Sequence, residues 1–116
     1  MGLEWVTQRP KQDVILVEVK GRLAFGDELR ELKTQLASSA GKRDLILILD
    51  LSKVEFADSS GLGVLLYVDG VAREAGSKLR LTGITRRLLE LFQMTHTEKE
   101  LTIDRDVATS LSHSAF

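Results

Sequence analysis

The chain has 116 residues, 43% apolar and 28% charged, which is enough for one hydrophobic core and too few for two. Its 16 basic and 17 acidic residues are mixed along the sequence for a formal charge of −1, so no field gathers nucleic acid or anionic lipid. It has no cysteine, which excludes disulfides and cysteine-based zinc or redox sites, and its histidines, His96 and His113, stand too far apart to suggest a metal site.

Residues 3–7 alternate apolar and polar side chains and predict a first, edge strand. Residues 9–13 read as a turn, because Pro10 lacks the N–H that a strand ladder needs. Residues 14–19 form a β-branched strand that Gly21 is expected to end, and the short connection implies an antiparallel hairpin. After a connection over 21–26, Asp27 is a candidate cap for a helix. Its apolar stripe is Leu29, Leu32, Leu36 and Ala40, while Glu28, Arg30, Glu31 and Lys33 face water and Gly41 ends it. The carboxylate pair Glu28 and Glu31 belongs to that solvated face.

Leu45, Ile46, Leu47, Ile48 and Leu49 make an unbroken apolar run too short for a helix, so they predict a strand buried on both faces in mid-sheet. A connection over 51–57 then leads to Asp58, Ser59, Ser60, Gly61, Leu62 and Gly63. Asp58 can cap the helix that follows, which runs to about residue 75 and is closed by Gly76. Residues 78–81 read as a fourth strand broken by Gly83. Thr85 is a candidate cap for a helix with Leu88, Leu89, Leu91 and Phe92, on which Arg86 and Arg87 form a solvated face. Residues 101–103 predict a short fifth strand. Asp104 or Asp106 begins a final helix, and 112–116 read as a frayed tail. Strands alternating with helices imply an α/β layer structure with its later strands parallel, and no linker divides residues 1–116.

Several chemistries are missing. There is no Gly-x-x-x-x-Gly-Lys-Ser/Thr phosphate-binding loop, no third glycine after Gly61 and Gly63 for a dinucleotide fold, and no Gly-x-Ser-x-Gly elbow around Ser59 or Ser60. An enzyme is therefore not expected. No apolar N-terminal segment resembles a signal peptide and no apolar run nears the roughly 20 residues that span a bilayer. A cytoplasmic protein without membrane insertion is expected.

Ser59 and Ser60 sit where the first N–H groups of a helix lack intrahelical partners. A phosphate there is favoured by those donors and by the helix dipole, and adds about −1.5 to −2 charges without necessarily melting the helix. Gly61 and Gly63 leave room for another protein to approach. The alternative is structural: Asp58 caps the helix, the serines fill its first turn, and the glycines pack on a neighbouring loop.

This hexapeptide, after residues 45–50 and Val54, Glu55 and Phe56, closely resembles the signature of the bacterial anti-sigma factor antagonists, the STAS domain family. The likeness extends over nearly the whole chain. Gly21, Arg22 and Leu23 resemble the family's turn after its second strand, 79–83 and 88–92 its fourth strand and third helix, and 104–111 its closing helix. It implies a single STAS-like α/β domain with about five strands in a mixed sheet and about four helices. It also implies partner switching: the unphosphorylated domain binds an anti-sigma factor serine kinase, phosphorylation of Ser59 ends that binding, and a serine phosphatase reverses it. Asp58, Ser60, Gly61, Leu62 and Gly63 would form the docking surface, joined by Leu23, Ala24 and Phe25. No cofactor is assigned, because ATP belongs to the kinase. Many family members carry aspartate where this chain has Ala24. The more apolar Leu23, Ala24 and Phe25 edge leaves open an unphosphorylated scaffold subunit of a transport or stress-signalling assembly. A monomer or weak dimer is expected.

Overall fold

The computed structural model describes residues 2–112. Among them the chain order is β1 (Leu3–Lys11), β2 (Val14–Leu23), α1 (Asp27–Ala40), β3 (Ile46–Ala57), α2 (Ser59–Glu74), β4 (Lys78–Thr82), α3 (Arg86–Met94), β5 (Ile103–Asp104) and α4 (Val107–Leu111). The strands form one five-stranded sheet in the order β1-β2-β3-β4-β5. β1 is antiparallel to β2, and the other neighbours are parallel. The mixed α/β sheet with helices packed on it is the expected architecture.

Alternation of side chains across the sheet divides the core between its two faces. Leu47, Leu49, Leu79 and Leu81 join the buried stripes of α1, α2 and α3 in one cluster. Val14, Leu16, Ile46 and Ile48 point the other way and meet Val107 and Leu111 of α4. Ile46, Leu47, Ile48 and Leu49 are each 0% exposed, as a central strand covered on both faces demands. The predicted stripe of α1, Leu29, Leu32, Leu36 and Ala40, is buried throughout.

Several boundaries differ from the sequence reading. β1 runs through Pro10 to Lys11, and its register against β2 breaks between Gln8 and Lys11. Proline is tolerated there because β1 is an edge strand. β2 passes through Gly21 instead of ending at it. Gly21 adopts φ 107°, the carbonyl of Gly2 fills the place of its missing Cβ, and Arg22 N–H donates to that carbonyl at 2.5 Å. The stretch 51–57 is strand, not connection: β3 continues beside β2 to Ala57, with register shifts that bury Leu51 and Val54 and expose Ser52, Lys53 and Glu55.

Asp27 is not a cap. Gly26 holds the N-cap position of α1 without a side-chain bond, and Asp27 faces Arg30 at 3.5 Å. β5 is Ile103–Asp104, so Asp104 belongs to the sheet and Asp106 is the cap of α4, accepting from Thr109 N–H at 2.8 Å. Asp104 instead accepts from Arg80 Nε at 2.7 Å and Ser110 Oγ at 2.7 Å, tying α4 to β4. Of the expected frayed tail, Ser112 is the C-cap of α4, and 113–116 lie outside the described residues.

Candidate functional site

The site forms where β3 ends and α2 begins. Asp58 is extended at φ −108°, so its side chain can turn back over the first turn of α2, where Oδ1 accepts from Gly61 N–H at 3.0 Å. Oδ2 accepts from Phe25 N–H, across from the β2–α1 loop, at 3.1 Å. The main chain repeats the connection: Asp58 N–H donates to the Leu23 carbonyl at 3.3 Å, and the Asp58 carbonyl accepts from Leu62 N–H at 3.1 Å. Both carboxylate oxygens are therefore committed, one to each element.

Partial burial acts to raise the pKa of Asp58, but backbone N–H groups of Gly61, Phe25 and Ser60 outweigh it and hold the carboxyl below its ordinary value. The two glycines of the turn have different duties. A side chain at Gly61 would run into the Leu23 carbonyl, so that position must be glycine for α2 to approach β2. Around Gly63 nothing lies within 4 Å of where a Cβ would be.

The structure brings the predicted residues together but sorts them by depth. Ser59, Gly63 and Phe25 are exposed, and Asp58, Ser60 and Ala24 are half-buried. Leu23, at 1% exposure, and Leu62, at 5%, drop into the core, and Gly61 is buried against Leu23. These three support the surface from beneath and offer a partner no side chain. Phe25 does the opposite, with 78% of it exposed.

Sequence reading passed over Tyr67. It is half-exposed, stands at helical spacing from Ser59 and Gly63 on α2, and its ring carries Lys33 Nζ 4.4 Å from the centroid. The i, i+4, i+8 spacing was the available signal. Two arginines brace the adjoining end of β3: Arg22 stacks on Phe56 at 4.4 Å, and Arg87 Nη1 donates to the Glu55 carbonyl at 3.4 Å. Arg86 and Arg87 are solvent-exposed, as their helix-face reading requires.

At the far end of α2 lies a 480 Å³ recess lined by Asp69, Arg73, Ser77, Lys78 and Arg80 among others. Asp69 is 9% exposed, and its burial raises its pKa despite the Arg73 guanidinium 2.9 Å away. Both arginines there are engaged: Arg73 Nη2 donates to the Glu100 carbonyl at 2.8 Å, and Arg80 pairs with Asp104. Among the described residues no three or more of His, Cys, Asp and Glu gather to hold a metal, and no helix is long and apolar enough to cross a membrane.

The profile of the STAS domain family matches residues 6–110. The chain belongs to the STAS domain family. Over 54 residues this STAS domain is 39% identical to the anti-sigma-B factor antagonist of Listeria monocytogenes, a match covering 47% of each chain, about half the length of that relative. Its fold matches the crystal structure of an anti-sigma factor antagonist from Mycobacterium paratuberculosis with a TM-score of 0.77 at 18% identity, over 96% of this chain and 92% of that one. The Bacillus cell fate determinant SpoIIAA, in its phosphorylated form, superimposes with a TM-score of 0.69 at 13% identity, covering 87% of this chain and 91% of that one. At those identities the two structural likenesses concern the fold.

Proposed function

We propose that this STAS domain is an anti-sigma factor antagonist that switches partners at Ser59. Unphosphorylated, it binds an anti-sigma factor serine kinase through Ser59, Ser60, Gly63, Ala24 and Phe25. The kinase moves a phosphoryl group from its own ATP to Ser59 Oγ, which ends the contact, and a serine phosphatase restores it. The chain acts as substrate and ligand, and the reading implies a cytoplasmic site of action. The observation that carries it is the exposed Ser59 on a helix turn pinned by Asp58, with open space over Gly63 one turn further on.

The physical argument is one of charge at a fixed point. The first turn of α2 contains no acidic side chain beyond its cap Asp58, so a phosphate on Ser59 meets the favourable end of the helix dipole and shares the early N–H groups with that one carboxylate. A dianion there leaves the fold intact while reversing the character of the surface that the partner reads. The curated relative and the SpoIIAA likeness both support this reading by what those proteins are called.

The test is incubation with serine kinases of this class, followed by intact mass and site mapping. One phosphate on Ser59, absent from Ser59→Ala, and loss of kinase binding on phosphorylation are the expected results. Ser59→Ala should capture the kinase and fail to release it. A second reading follows from Ala24 and the exposed Phe25: a STAS scaffold subunit holding an apolar partner permanently. Its signature is a stable complex indifferent to phosphorylation of Ser59.

A further inference from the structure

The Asp58 carboxylate stands between two elements, α2 and the β2–α1 loop. Its Oδ1 belongs to α2 through Gly61 N–H, in a partly buried bond, and its Oδ2 belongs to the loop through Phe25 N–H, in an exposed one. Leu23, just before that loop, is fixed independently by its burial and by its carbonyl, which receives Asp58 N–H. Phe25 lacks such anchorage: with 78% of it exposed, the ring has little packing to hold it. Gly26 follows at φ 154° as the N-cap of α1, with its carbonyl accepting from Arg30 N–H at 3.2 Å, so the unanchored stretch is confined to Ala24 and Phe25.

We infer that the Asp58 carboxylate is a latch holding Phe25 beside Ser59, and that a phosphate on Ser59 opens it. This inference rests on phosphorylation of Ser59 as the mode of control. The phosphate would be attached to the residue next to Asp58 and would compete for the same N–H groups of the first turn of α2. Phosphate and carboxylate also repel. With a charge near −2 on one and −1 on the other, a separation of about 5 Å in water costs a factor of about ten in population. The exposed Oδ2 bond to Phe25 has the least packing around it and yields first. One modification then withdraws two contacts, because the serine acquires charge and the apolar ring leaves its position. The partner that fits such a surface has an apolar pocket for Phe25 next to its serine-binding site.

The experiment uses the full chain labelled with ¹⁵N, with phosphoserine inserted at position 59 by codon reassignment so that no kinase is needed. Amide hydrogen exchange at Phe25 is expected to accelerate about tenfold, and its amide resonance to move toward loop values. Asp58→Ala should have the same effect on Phe25 without phosphate, since no side-chain acceptor then faces the Phe25 N–H. A Phe25 amide whose exchange and shift are unchanged by phosphoserine at 59 would overturn the latch, whatever the variant does. Failure of every kinase to modify Ser59 would instead count against partner switching, while the inserted phosphoserine still decides the latch.

Discussion

Helix α2 is served by two aspartates held in opposite ways. Asp58, just before it, gathers backbone N–H groups and keeps its charge more readily than an ordinary carboxyl. Asp69, in its second half, is buried, and even Arg73 at 2.9 Å does not offset that burial. The difference follows from burial: Asp69 is the deeper of the two, and an Arg73 guanidinium largely in water does not offset its desolvation, whereas at half-buried Asp58 the backbone N–H groups do. It also separates the helix into an end that leaves Ser59 exposed and an end tied down to a neighbouring segment. Arg73 reaches the Glu100 carbonyl and so fastens α2 to the segment before β5, whereas Asp58 holds an exposed turn in one geometry.

The largest expected effect comes at the Asp58 end. Gly61→Ala puts a methyl group into the Leu23 carbonyl, forcing α2 away from β2, and should cost about 1–3 kcal/mol in denaturant unfolding. If stability is unchanged, the close approach of helix and loop is not what holds the turn. Asp58→Ala removes the cap and should cost about 1 kcal/mol by the same measurement.

The pH dependence separates the two aspartates by sign. The folded pKa of Asp58 lies below 3.8, so its contribution is complete above that value and is lost as pH falls through the lowered one. The folded pKa of Asp69 lies above 3.8, so the stability associated with its protonated form is lost as pH rises through the raised one. Denaturant midpoints across the acid range should show Asp69→Asn removing the second trend and Asp58→Ala the first. Equal pH profiles for the two variants would break the comparison. The smallest effect, and one of opposite sign, is expected at Gly63: with open space around it, Gly63→Ala should stabilise the helix by up to about 1 kcal/mol.

Local chemistry was the legible part of the sequence. Asp58 and Thr85 were readable as caps because each serves an N–H three residues ahead, at Gly61 and Leu88. The buried run from Leu45 to Leu49 announced itself by composition alone. What escaped depends on partners distant in the chain. Gly21 looks like a strand end until the carbonyl of Gly2 is found against it. Ser52 and Lys53 look like loop because register shifts in the sheet disrupt the expected alternation. At the site, the serine turn was evident, but the depth of Leu23 and Leu62 was not, since sequence does not give the direction of a side chain near a strand end. The bond from Phe25 to Asp58 spans 33 residues and has no local signature.

The proline in β1 has a consequence for the behaviour of the protein in concentrated solution. An outermost strand offers its unpaired amides and carbonyls as a template on which other chains can stack. Here Pro10 supplies no amide, and the register break between Gln8 and Lys11 bends the same stretch out of line. The template is thereby shortened to the portion before the break, where the charged Glu4 interrupts the run. A domain that leaves Ser59 and Phe25 uncovered at one end thus carries its own guard against sticking to copies of itself along its other margin.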